Sequence, residues 1–188
     1  MRLVSAITQR NKLIRLGFEG FGINALDKSF FEPLTEYYSN VITQEQELTA
    51  TSSSSFGSCG LKSLQIIYCH GLTSKALQHV AKMKTLQKLT IILSPLNTHT
   101  KKNILSSNLS ANPIDGFTRE LTAGGEEKVL PLLSYLELVN VILSDQAIQD
   151  IIACKSLKTL LVEQARGFSK TGERLLKKHI ESLSSNNI

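Results

Sequence analysis

The stretch LKSLQIIYCHGLTSKALQHVAKMKTL, residues 61–86, decides the fold. Its first part sets Leu61, Leu64 and Ile66 in an L-x-x-L-x-I pattern. Alternation around 64 and 66 is that of a short half-buried strand. Its second part places Ala76, Leu77, Val80 and Met83 at helical spacing. Thr73 stands where a hydroxyl can cap the free amides of that helix. The unit is a strand, a turn and a helix, and none of these buries its apolar face alone. Such units must stack on one another.

The same spacing returns at Leu86, Leu89 and Ile91, at Leu133, Leu136 and Leu138, and at Leu157, Leu160 and Val162, with an earlier copy at Leu13, Leu16 and Phe18. Copies begin 25 residues apart at 61 and 86, 24 apart at 133 and 157, and 48 apart at 13 and 61. A period in the twenties predicts a solenoid. The helix slots are filled by Phe31 and Leu34 in the first copy and by Ile104 in the third. Ala147, Ile148 and Ile151 fill them in the fourth, after Ser144 and Asp145 at the helix start, and Leu176 follows Phe168 and Ser169 in the fifth. Leu3, Val4 and Ile7 match the helix of a preceding unit, so the chain is expected to open inside a repeat. We read 1–188 as a single repeat domain with polar insertions near 39–60 and 106–127. Both insertions are rich in Ser, Asn, Thr and Gly and read as loops or degenerate repeats. Insertions of this kind emerge on a surface, where partners often touch.

The segments 61–86 and 133–157 together resemble the cysteine-containing subclass of leucine-rich repeats, with Cys69 in the mid-repeat slot and Cys154 in the late slot. Phe21, Ser94, Val141 and Ala165 occupy the first slot elsewhere, and Met83 and Leu130 the second. The resemblance implies an α/β solenoid of the ribonuclease-inhibitor-like kind, with short parallel strands on the concave face and helices on the convex face. It also implies a non-catalytic module that binds a protein partner. Such arrays serve as substrate-recognition arms of F-box ubiquitin ligase subunits, and similar arrays occur in bacterial effectors acting inside eukaryotic cells. The implied location is cytoplasmic, or the host cell for a secreted effector. Few residues precede the first strand, so the helical F-box itself is not expected here.

Composition fits a folded chain. Of 188 residues, 41% are hydrophobic and 20% charged, and there is no Trp, so the core must be aliphatic. The net charge of +5 is partly local, with Lys170, Arg174, Lys177, Lys178 and His179 crowded near the end. That end offers an alternative function in nucleic-acid binding, although stacking aromatics and a recognised motif are missing. A second alternative is an enzyme working through the inserted loops. Three cysteines cannot all pair, which favours a reducing compartment. No run is long and apolar enough to span a membrane.

No catalytic, cofactor or metal residue is assigned. Cys69 beside His70 invites a metal reading, but Cys59 and His79 stand at spacings unlike those of zinc sites. In register, Cys69 and Cys154 read as small buried hydrophobes, and Cys59 as an accessible loop thiol. His79, His99 and His179 read as surface residues. Gly124 and Gly125 before Glu126 and Glu127 lack the Lys and Ser/Thr of a phosphate loop. Asp145 and Asp150 are accounted for by capping or solvent exposure.

The register itself names the candidate binding residues. If the leucines point inward, the residues between them face outward. One outward row is Glu19, Ile67, Ile92, Val139 and Glu163. A second is Gly20, Tyr68, Leu93, Asn140 and Gln164, and a third is Gly17, Gln65, Thr90, Glu137 and Leu161. The predicted partner-binding set is Ile67, Tyr68, Ile92, Leu93, Tyr135, Glu137, Val139 and Leu161. Apolar side chains rimmed by polar ones at solvent-facing positions suit a protein partner.

Overall fold

The structure is a computed structural model, which describes residues 13–20, 31–36, 60–69, 72–94, 113–123 and 130–185. Five strands form one all-parallel sheet: β1 (Arg15–Glu19), β2 (Ser63–Ile67), β3 (Lys88–Ile92), β4 (Tyr135–Val139) and β5 (Thr159–Glu163). They lie side by side in chain order. Helices alternate with them: α1 (Ser74–Ala81), α2 (Pro113–Ala123), α3 (Asp145–Ala153) and α4 (Lys170–Ser185), with a further helical stretch over 31–36. Strands in sequence order with helices between them are the arrangement a stacked array requires.

A repeated hydrogen-bond device enters each strand. The carbonyl of Ile14 accepts from the amides of Lys62 and Ser63, that of Lys62 from Gln87 and Lys88, that of Gln87 from Ser134 and Tyr135, and that of Ser134 from Lys158 and Thr159. One backbone oxygen thus satisfies two donors of the next unit and locks the register. Pairing then runs Leu16, Leu64, Leu89, Leu136 and Leu160 across the sheet, and Phe18, Ile66, Ile91, Leu138 and Val162 beside them. Most of these side chains are buried, and they share one core with Leu77, Val80, Phe117, Ile148 and Ile151 from the helices. The helices therefore cover one face of the sheet. Each buried aliphatic side chain contributes about 1.5–3 kcal/mol of transfer free energy.

Helix starts are capped by hydroxyls. The Thr73 side chain accepts from the Ala76 amide at 3.1 Å, Ser144 from Ala147 at 3.1 Å and Ser169 from Gly172 at 3.2 Å. Consecutive helices are also tied at these ends. Asp115 Oδ1 accepts from the Ser144 hydroxyl at 3.0 Å, and Asp145 Oδ1 from the Ser169 amide at 2.9 Å. The stretch 31–36 is fixed similarly, since Thr35 Oγ1 donates to the carbonyl of His79 on α1. Phe31 there meets Phe18 edge to face, with ring centroids 6.2 Å apart.

Part of the sequence expected to be an insertion is a helix. Residues 113–123 form α2, which packs between α1 and α3. Its Ile114 and Phe117 are fully buried and Leu121 packs against the core. Gly116 takes the place held by Ala76, Ala147 and Gly172, where a Cβ would collide with Ser74. The polar surroundings concealed a helical apolar stripe. The rest of that stretch, residues 39–59 of the other insertion, the predicted helix at Ile104 and the unit at 1–10 lie outside the described residues.

The second outward row also differs from expectation. Gly20, Tyr68, Asn140 and Gln164 follow their strands in left-handed backbone, with φ of 69°, 51°, 57° and 53°. Their amides still continue the ladder in part, as when the Tyr68 N–H meets the Ile92 carbonyl at 2.7 Å. These residues make the turn out of the sheet rather than extend its face. Leu93 occupies the same register without positive φ and packs, half-buried, against the core.

Cys69 and Cys154 are buried free thiols. Cys69 Sγ donates towards the carbonyls of Ile67 at 3.3 Å and Phe18 at 3.6 Å, which joins β2 to β1. Met83, Leu130 and Cys154 occupy equivalent turns, and the carbonyl of each accepts from the amide of the leucine three residues later. Asp150 departs from its reading as a surface residue. It is 6% exposed, and its Oδ1 accepts from Gln146 Nε2 at 3.0 Å. Among the described residues no helix is long and apolar enough to cross a membrane.

Candidate functional site

The face of the sheet opposite the helices carries three rows of side chains. The last runs Glu19, Ile67, Ile92, Val139 and Glu163, paired one for one across five strands. Ile67, Ile92 and Val139 are half-buried, packed flank to flank because adjacent strands bring paired residues within contact distance. Two exposed carboxylates close this apolar strip at its ends.

The middle row is polar over β3 and β4. Glu137 Oε2 accepts from the Thr90 hydroxyl at 3.0 Å and from the Tyr135 phenol at 3.1 Å. Thr90 is only 2% exposed although it lies in an outward row. The Lys88 ammonium lies over the Tyr135 ring, 4.0 Å from its centroid. A cation on a ring face is favoured by the ring quadrupole. Burial, then the hydrogen bond to Glu137 and its negative charge, raise the Tyr135 pKa above its ordinary value. The phenol therefore stays a proton donor to Glu137 throughout the neutral range. Leu161, next to Glu137 in register, is 41% exposed, and Tyr68 beyond the strand end is 45% exposed.

The structure thus brings Ile67, Ile92, Val139, Tyr135, Glu137 and Leu161 onto one face, with Tyr68 at its margin. Sequence reasoning missed a neighbouring groove. Arg15, Leu16, Gly17, Lys62, Ser63, Gln65, Gln87 and Lys88 line a depression of about 470 Å³ across the starts of β1, β2 and β3. A basic residue stands just before the inward leucine in two units, Arg15 and Lys88, both paired with Ser63, and Lys62 precedes Ser63 between them.

The basic terminal helix is a separate surface. Lys170, Arg174, Lys177 and Lys178 of α4 are exposed, and only Gly172 and Leu176 are buried. His179 is not a simple surface residue, for its Nε2 is buried and has no hydrogen-bond partner. Burial lowers its pKa below 6.5. The unfolded chain binds the proton more readily, so stability from the neutral ring is full above about pH 6.5 and is lost as pH falls towards the folded value. Replacing His179 by Leu should make the decline of thermal midpoint from neutral pH to roughly pH 5 shallower than in the parent. An unchanged decline in a pH series of melts would contradict this. Among the described residues no group of three or more His, Cys, Asp or Glu side chains is placed to hold a metal ion.

No protein-family model matches the chain, and none of the curated proteins matches it.

Proposed function

We propose that the chain is a leucine-rich-repeat solenoid of the ribonuclease-inhibitor-like kind that binds a protein partner through the outer face of its sheet and catalyses no reaction. The strip Ile67, Ile92 and Val139 between Glu19 and Glu163 carries this reading. Apolar side chains at the centre and charges at the rim are the composition of a protein interface. A rigid parallel sheet presents them without an ordering cost at the moment of binding. Strand-lined concave binding with helices on the convex side is the corresponding geometry. An adaptor role follows, as the recognition arm of a ubiquitin ligase in the cytoplasm or as a bacterial effector in a host cell.

Ile92→Asp with Val139→Asp places two charges in the strip. Partner capture from the native cell should fall by about a hundredfold, the scale of losing a central anchor. Circular dichroism and the thermal midpoint report whether the fold is kept. Undiminished capture of every partner by a folded double variant would refute the reading.

A further inference from the structure

The groove at the starts of β1, β2 and β3 is lined by three cations, Arg15, Lys62 and Lys88, and by no acidic residue. Arg15 is exposed, whereas Lys62 and Lys88 are half-buried, so their charges sit partly out of bulk water. Ser63, Gln65 and Gln87 add neutral donors and acceptors between them. Gly17 leaves the floor open, since a Cβ there would make only ordinary contact with Gln65, at 3.8 Å. Along the same strands, two register steps beyond Gln65 and Thr90, lie Ile67 and Ile92 of the apolar strip.

We infer that this groove binds an acidic, partly aliphatic peptide segment of the protein partner, with carboxylates between Arg15, Lys62 and Lys88 and aliphatic side chains on Ile67 and Ile92. The inference rests on the reading of the outer face as a protein-docking surface and names the chemistry that surface selects. Charge complementarity supplies the occupant. Three cations with no lining carboxylate favour an anion, and a volume of about 470 Å³ suits a few side chains rather than a single ion. The Arg15 guanidinium can hold a carboxylate through two parallel hydrogen bonds. A continuous polyanion fits less well. Glu19 at the end of β1 and Glu137 on β4 stand on the same outer face beyond the groove and would repel a phosphate backbone that runs on across that face. The Tyr135 ring, the one aromatic in the register of Arg15 and Lys88, is covered by the Lys88 ammonium and does not serve for base stacking.

The test is selection of short random peptides displayed on phage against the whole chain, followed by titration of the most enriched synthetic peptide by fluorescence polarisation. Enriched peptides should combine Asp or Glu with Leu, Ile or Val. Arg15→Glu with Lys88→Glu should weaken the synthetic peptide by about tenfold or more, the scale of reversing two partly exposed ion pairs. Gly17→Leu, which fills the groove without changing charge, should weaken it as well. Far-UV circular dichroism confirms that each variant is folded. Peptides that lack acidic residues, or that bind both variants as tightly as the parent, overturn the inference. Heparin binding more tightly than the peptide, and being lost on charge reversal, overturns it in favour of a polyanion. Ile92→Asp with Val139→Asp separates the two levels. Peptides weakened by that change but indifferent to charge reversal remove the groove and leave the docking face standing, whereas indifference to both removes both.

Discussion

Leu136→Ala should lower the unfolding free energy by about 2–5 kcal/mol, the range for truncating a buried leucine. Leu136 is fully buried on β4 and is paired with Leu89 on one side and Leu160 on the other. Strands on both flanks are held by ladder hydrogen bonds, so the backbone cannot close over the lost atoms, and the upper half of the range applies. Urea unfolding measures it as a lower midpoint at unchanged slope. Leu161→Ala is the control on the opposite face of the sheet. That residue is 41% exposed, and its truncation should stay within about 0.5 kcal/mol. Equal costs for the two changes would mean that the inward and outward sets are wrongly divided.

Phe117→Ala should cost about 3–5 kcal/mol, as loss of a buried aromatic does. Its side chain is fully buried in α2, a helix that packs against α1 and α3. The neighbouring Gly116 admits the close approach to Ser74, so the helices have no slack to fill a void. The same denaturation experiment reads the effect. A neutral result would return residues 113–123 to the status of a dispensable surface insertion and break the stack between its second and fourth strands.

The leucine spacing carried most of the fold because a strand that buries alternate residues leaves no freedom of register. Leu64, Leu89, Leu136 and Leu160 stand beside one another as their sequence positions require, and the outward residues follow automatically. Thr73 and Ser144 cap their helices because the hydroxyl is short enough to reach an amide three residues on. Helix α2 was hidden by its surroundings. Ile114, Phe117 and Leu121 keep helical spacing, but they stand in a stretch rich in Ser, Asn, Thr and Gly that reads as a loop or degenerate repeat, although Pro113 suits a first helical turn and Gly116 a tight packing site. Leu93 packs against the core because a strand's alternation does not extend past its last ladder pair. The basic groove was illegible for a different reason. Arg15, Lys62 and Lys88 lie far apart in sequence, and only pairing across three strands gathers them.

The order of the sheet has a consequence for how the molecule could change length. Every contact between described strands joins sequence neighbours, and no contact links β1 to β5. Nothing in such a row closes on itself, so its free energy is a sum of single-unit terms and terms between adjacent units. Excision of residues 133–156, one complete period, would set Leu157, Leu160 and Val162 beside Leu86, Leu89 and Ile91, with like side chains meeting like. Growth or loss of whole periods by recombination within the gene would therefore conserve the inward leucines while reshuffling the outward rows. The outer face would then be rewritten by counting units, with the core left unchanged.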